Sequence, residues 1–300
     1  MPTHRRTAAA GAAVLALLGL AAMAALQPAA AAQTPSVKHY VALGDSYAAG
    51  PLIPVQRTDP IGCERSTNNY PALVAEGLGV ADYTDVSCSS AVTENMTTAQ
   101  QVPLGTNPPQ FDALRSDTDL VTVTISGNDV GFADIVVTCA QLSVTDPLGD
   151  PCRRQATAGG TDRYAQRITA VAPKVAGVLE GIHQRSPQAR VLLVGYLRIL
   201  PPSLGCYPIV PISRGDVPYL DGLEQQLTAV LAEQASTHGA QFVDAYARSL
   251  GHDVCQLPGQ KWVEGFVPTS PAYLVHPNAQ GMRAVADLTL GRLTDQAPPV

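Results

Sequence analysis

Four short stretches of this chain carry groups that together could run acyl transfer. Ser46 stands in VALGDSYAAG, Ser90 in DVSCSSA, Asn128 in TISGNDVGF and His276 in YLVHPNAQG. A serine hydroxyl is a weak nucleophile until a base removes its proton, and histidine, which titrates near neutrality, is the usual partner. Attack on an ester carbonyl then leaves negative charge on the carbonyl oxygen, which needs donors already in place. The side-chain amide of Asn128 and the backbone N–H groups of Ser46 and Ser90 are the candidates for that oxyanion hole. Ser46 as nucleophile and His276 as general base complete a set suited to hydrolysing an ester through an acyl-enzyme. Singly, three of the four stretches have a plainer explanation. Gly-Asp-Ser and Gly-Asn-Asp are ordinary turn sequences, and His-Pro-Asn suits the start of a helix.

What raises them above that level is where the expected elements put them. Short, nearly continuous apolar runs at 37–43, 83–87, 120–125, 190–195 and 241–244 read as five strands, buried on both faces as in a parallel sheet. Between them, 70–79, 162–185 and 219–238 read as helices, the second with apolar residues at helical spacing. A last helix is expected over about 277–293, with Pro277 in its first turn. Alternating strands and helices imply right-handed crossovers and an α/β fold: a three-layer α/β/α sandwich on a five-stranded parallel sheet, with the flavodoxin-like order 2-1-3-4-5 by analogy. Ligands of such sheets bind beyond the carboxyl ends of the strands. Ser46, Ser90 and Asn128 follow strands one, two and three, and His276 opens the last helix. Nucleophile, base and donors thus converge on one rim from four distant parts of the chain. The GDSYA segment is not the elbow of an α/β-hydrolase, because Ala48 stands where G-x-S-x-G needs glycine.

On these residues the sequence resembles the SGNH (GDSL-type) hydrolases. The four signature positions of that family fall on Ser46, Ser90, Asn128 and His276, and the likeness extends over nearly all of 37–293. GHDVC followed by KWVEG adds a similarity to the secreted lipase and esterase branch of filamentous actinobacteria, whose members also carry three disulfides. The resemblance implies carboxylic-ester hydrolysis in one flavodoxin-like domain without a cofactor or metal. Two positions depart from the family pattern. Ser90 replaces a residue that is normally glycine, although a backbone N–H survives the change. Tyr273 stands where many members place the triad aspartate, three residues before the histidine, and neither Leu274 nor Val275 can supply a carboxylate. A main-chain carbonyl of Tyr273 or Leu274 is therefore expected to orient His276, which makes the pair a Ser–His dyad.

The remaining features bound the setting. With 46% hydrophobic and 15% charged residues the 300-residue chain is of ordinary globular type, and its 25 Gly and 25 Pro imply many turns. The net charge of −6 and the absence of a basic run after Arg5-Arg6 argue against a nucleic-acid partner. Residues 1–32 read as a secretory signal peptide: a basic start, an apolar stretch over 8–26 and an Ala30-Ala31-Ala32 cleavage site. The rival is a membrane anchor, since the stretch nearly reaches spanning length; cleavage before Gln33 is the expectation, with residues 33–300 as a single domain. Nothing else suggests stable membrane insertion, so a secreted, extracellular monomer acting on a small-molecule or lipid ester is expected. All six cysteines, Cys63, Cys88, Cys139, Cys152, Cys206 and Cys255, follow the leader. An even count in an exported chain points to disulfides. Sequence does not choose among the pairings; pairing in chain order, which would staple three separate loops, is the working expectation. Trp262 has two open roles, on the wall of an acyl pocket or packed against the 206–255 loop. His252 and Asp253, beside Cys255, read as loop-fixing, and Asp45 and Asp129 as turn-stabilising.

Within ester hydrolysis, a phospholipase A and a carbohydrate acetylesterase use the same residues and differ in pocket shape, which sequence hides. A non-catalytic secreted binding module on the same fold is the reading from another class. Covalent labelling by a fluorophosphonate separates it from the enzyme.

Overall fold

The computed structural model of the chain describes residues 1–2 and 37–294. Apart from Met1 and Pro2, the expected leader lies outside the described residues. Seven strands occur among them: β1 (His39–Gly44), β2 (Asp82–Asp85), β3 (Gln100–Val102), β4 (Gly105–Asn107), β5 (Leu120–Thr124), β6 (Arg190–Val194) and β7 (Gln241–Val243). The helices are α1 (Ser46–Ala49), α2 (Tyr70–Leu78), α3 (Gly127–Val130), α4 (Phe132–Ser143), α5 (Pro151–Thr157), α6 (Arg163–Ala170), α7 (Ala172–Arg185), α8 (Val217–Thr237), α9 (Ala245–Arg248) and α10 (Ala279–Leu293).

Five strands form one parallel sheet in the order β2-β1-β5-β6-β7, which is 2-1-3-4-5 when its strands are counted along the chain. The central strands β1, β5 and β6 are buried almost throughout, as their apolar runs require. Helices cover the sheet, α2 packing on α10 and α8 on α6 and α7. The chain thus has the α/β sandwich read from its sequence. Register matters for the site. Gly44 lies opposite Thr124, so β1 and β5 end at the same level, and the residues that follow them emerge side by side.

Two local differences from the sequence reading have physical causes. The helix expected over 162–185 is two, broken at Val171, because Pro173 in the first turn of α7 has no N–H for the preceding turn. Val175, Val178, Leu179 and Ile182 still form one buried stripe on α7. The last helix starts at Ala279, not Pro277, since the Asn278 side chain accepts from the N–H groups of Gln280 and Gly281 and caps it there. The loop at 100–107 holds the antiparallel hairpin β3–β4, and α4 and α5 fill much of 132–157.

Three disulfides join Cys63 to Cys88, Cys139 to Cys152 and Cys206 to Cys255. The first ties the loop after α1 to the end of β2. The second joins α4 to α5, and the third links the loop before α8 to the loop after α9. Among the described residues no helix is long and apolar enough to cross a membrane, and no cluster of His, Cys, Asp and Glu could hold a metal ion.

Candidate active site

Ser46 owes its place to a tight exit from β1. Gly44 has φ +148°, and a Cβ there would lie 2.6 Å from the Thr124 carbonyl oxygen and 2.9 Å from the Ala48 Cβ. Only glycine lets the chain turn so close to β5. The buried Gln110 clasps both backbone groups of Gly44, accepting from its N–H at 2.7 Å and donating to its carbonyl at 2.9 Å. The Asp45 N–H donates to Thr124 O at 2.9 Å, which locks the two strand ends together. Asp45 Oδ1 then accepts from the Tyr47 N–H at 2.9 Å and caps α1, leaving Ser46 as its first residue.

His276 is held from the other side. The Glu264 N–H donates to His276 O, and the Asn278 N–H to Trp262 O, both at 2.9 Å. Asn278 Nδ2 adds bonds to Lys261 O and to Glu264 Oε1, also at 2.9 Å. Segment 262–264 is thereby laced to 276–278, and the backbone on both sides of the imidazole is fixed. Val275, just before it, has φ +59°, a left-handed conformation that a β-branched residue adopts at a cost. Its carbonyl accepts from the Tyr47 hydroxyl at 2.7 Å, which holds the strained turn against α1.

The two side chains meet. His276 Nε2 lies 2.8 Å from Ser46 Oγ, and Nδ1 lies 2.7 Å from the Leu274 carbonyl oxygen. A carbonyl only accepts, so this contact requires the proton on Nδ1 and turns the Nε2 lone pair toward the serine hydroxyl. Of the two carbonyls expected to orient the ring, that of Leu274 touches Nδ1, while Tyr273 O accepts from the His276 backbone N–H at 3.2 Å. Desolvation lowers the imidazole pKa below its ordinary value, and the Leu274 bond offsets part of that shift. The ring is thus kept neutral and able to accept a proton.

Of the other candidates, Asn128 lines the same cleft as Ser46 and His276. Asn128 is in α3, and one of its amide N–H groups donates to Ala91 O at 2.9 Å, leaving the other for a ligand. Ser90 adopts φ +64°. It takes the left-handed backbone that glycine adopts without strain, so the replacement costs about 1–2 kcal/mol but keeps the N–H. Among the described residues no acceptor meets the backbone N–H of Ser46 or of Ser90.

Sequence reasoning missed a buried relay below the site. The Tyr196 hydroxyl donates to Asp45 Oδ2 at 2.6 Å and accepts the Gly127 N–H at 2.7 Å, bridging the turns that follow β1 and β5. Burial pushes the Asp45 carboxyl up to about 7, although the bonds from Tyr196 and Tyr47 pull it down. Tyr196 was findable, since it comes two residues after β6 at the ligand-binding edge; Gln110, at the start of a single 3-10 turn without periodicity, gave no signal.

A cleft with about 250 Å³ of free space opens beside Ser46 and His276. Apart from the polar groups at its head its walls are largely apolar, with Phe132, Val136, Ile199, Leu227, Phe266 and Val275 among them. One acid, Glu224 of α8, breaks that character. Trp262 is not on these walls. It stacks on His252 with ring centroids 3.8 Å apart, and His252 Nδ1 meets Gln260 O at 2.6 Å, so both serve the loop. Asp253 accepts from the Cys255 N–H and from Gln256. Asp129 accepts from Thr93 and from Lys174.

Residues 42–284 match the model of the GDSL-like lipase/acylhydrolase family. The chain belongs to that family. It is 38% identical to Lipase 2 of Streptomyces coelicolor over 294 residues, 96% of this chain and 97% of that one. It is 31% identical to a lipase of Streptomyces rimosus, over 94% of this chain and 95% of the relative. The solved structure of phospholipase A1 from Streptomyces albidoflavus superposes with a TM-score of 0.69 at 28% identity, covering 85% of this chain and 98% of that one. The family membership accords with the α/β sandwich.

Proposed function

We propose that this carboxylic ester hydrolase is a secreted lipase or esterase working through a Ser46–His276 dyad. The observation that carries the reading is the chain of contacts from Leu274 O to the Nδ1–H of His276 and from its Nε2 to Ser46 Oγ. As Ser46 Oγ bonds to the acyl carbon, its proton passes to Nε2. The carbonyl π bond opens, and the resulting oxyanion is received by the Asn128 amide and the N–H groups of Ser46 and Ser90. Collapse expels the alcohol, which takes the proton from His276, and leaves an acyl-serine. Water, deprotonated by the same imidazole, then releases the acid and restores Ser46. The Leu274 carbonyl fixes the tautomer without a buried charge beside the ring.

The apolar cleft suits an acyl chain longer than acetyl, which favours a lipase or esterase over a carbohydrate acetylesterase. Likeness to the phospholipase A1 of S. albidoflavus makes phospholipids a substrate to test. Removal of a leader at 1–32 would export residues 33–300 as a single domain and monomer. Three disulfides suit an oxidising compartment, and a structural relative from S. rimosus is an extracellular lipase.

The test is labelling with a fluorophosphonate and mapping of the adduct. Modification at Ser46 in the wild type, and its loss together with ester hydrolysis in folded Ser46→Ala and His276→Ala proteins, is expected. Hydrolysis retained by folded Ser46→Ala protein would overturn the dyad, and a wild type that neither labels nor hydrolyses any ester would favour the binding module.

A further inference from the structure

Glu224 is the acid that an acyl cleft should not contain. It lies on α8, 3% exposed, and lines both the cleft beside Ser46 and a smaller adjoining cavity. Phe132, Val136, Ile199, Phe266 and Val275 are walls of both spaces, so Glu224 stands where the cleft gives way to the cavity. One carboxyl oxygen, Oε2, accepts from the Ile199 N–H at 3.0 Å. The other, Oε1, is buried and has no hydrogen-bond partner among the described residues. Anchoring Ile199 needs only one oxygen. A buried polar atom without a partner is destabilising, and a leucine would line this wall without that cost.

The surroundings settle the form of the group. Burial pushes its carboxyl up to about 8, with the charge of Asp221 adding to the shift and that of Arg198 opposing it. Arg198 Nη1 is engaged by Asp221, which also accepts from the Tyr246 hydroxyl and Gln225; among the described residues Arg198 Nε is left without a partner, and it makes no ion pair with Glu224. At neutral pH the group is mostly the uncharged acid, which both donates and accepts. An unbranched hydrocarbon chain threading past it satisfies neither capacity, whereas a hydroxyl on the chain satisfies both.

We propose that Glu224 is a specificity-determining residue which hydrogen-bonds a hydroxyl carried partway along the acyl chain, so that the cleft favours hydroxyacyl esters over plain acyl esters of equal length. This rests on the reading of the cleft as the acyl site of Ser46. A substrate hydroxyl at the right carbon gains a hydrogen bond in a dry pocket, and the plain chain leaves the acid unpaired. A net hydrogen bond corresponds to a preference of about tenfold in kcat/KM.

The experiment uses the intact enzyme and two sets of p-nitrophenyl esters, plain alkanoates and alkanoates bearing one hydroxyl moved stepwise along the chain. The wild type is expected to favour one hydroxyl position over the plain ester by about tenfold, with neighbouring positions near parity. Glu224→Gln, which keeps a donor and an acceptor, should retain part of that peak, and Glu224→Leu should abolish it. A wild-type profile flat in hydroxyl position overturns the proposal and leaves the oxygen to an ordered water. So does a peak that survives unchanged in Glu224→Leu. If the leucine variant fails to fold, the wild-type scan and the glutamine variant decide. Fluorophosphonate labelling of Ser46 in the same preparations keeps the two readings apart. Labelling with a flat profile refutes only the role of Glu224, and absent labelling refutes the dyad.

Discussion

Asp45→Asn should make the stability of this protein markedly less sensitive to pH. Asp45 is 1% exposed, and its carboxyl is pushed by burial from an ordinary value near 3.8 to about 7. Between those values the folded protein holds a proton that the unfolded chain has lost. Stability from this group is therefore full below about pH 3.8 and is lost as pH rises through about 7. A shift of about three units at 1.36 kcal/mol each amounts to about 4 kcal/mol. The asparagine has nothing to ionise. Its Oδ1 can still accept from the Tyr47 N–H, and its amide faces the Tyr196 hydroxyl, whose own titration lies well above 10. Any fixed cost of the substitution is then independent of pH. Glu224, also raised, titrates in both proteins and cancels in the difference. Urea unfolding of both proteins with disulfides intact, at unit steps from about pH 4 to 8, should show the variant gaining about 4 kcal/mol on the wild type across the range. A difference flat in pH, or one that moves the other way, refutes the claim that the buried Asp45–Tyr196–Gly127 relay holds a proton.

Other expectations are shorter. Asn128→Ala should lower kcat by about 10²–10³ with little change in KM, as loss of an oxyanion donor does; a change in KM alone would assign Asn128 to ground-state binding. Because desolvation lowers the His276 pKa, the acid limb of kcat/KM should fall below the ordinary histidine value near 6.5, and a limb above it contradicts the neutral-imidazole account. Asp253→Asn and Glu264→Gln should each leave kcat within a few-fold, since Leu274 O already occupies Nδ1; a fall of about 10⁴ in a folded protein would identify a third catalytic member. Mass mapping without reductant should return the three disulfides in chain order, and reduction should lower the unfolding midpoint. Free thiols in native protein would count against those pairings.

The sequence by itself determined the family, the α/β sandwich with its strand order, and the positions of Ser46, Ser90, Asn128 and His276 at strand and helix ends. These were legible because each depends on local pattern. Buried parallel strands must be apolar throughout, turns must use Gly, Asp, Asn and Ser, and ligands collect where such strands end. Tertiary structure alone decided the rest. Whether Tyr273 or Leu274 meets the imidazole turns on the positive φ of Val275 and on the Tyr47 hydroxyl, which is 228 residues away. The clasp of Gln110 on Gly44 and the bridge from Tyr196 to Asp45 join residues 66 and 151 positions apart. Trp262 kept two open roles in the sequence, which its ring stacked on His252 decides, and nothing in the sequence marked Glu224. Hydrogen bonds and cavity walls of that kind are set by which loops the sheet brings together, and no periodicity along the chain records them.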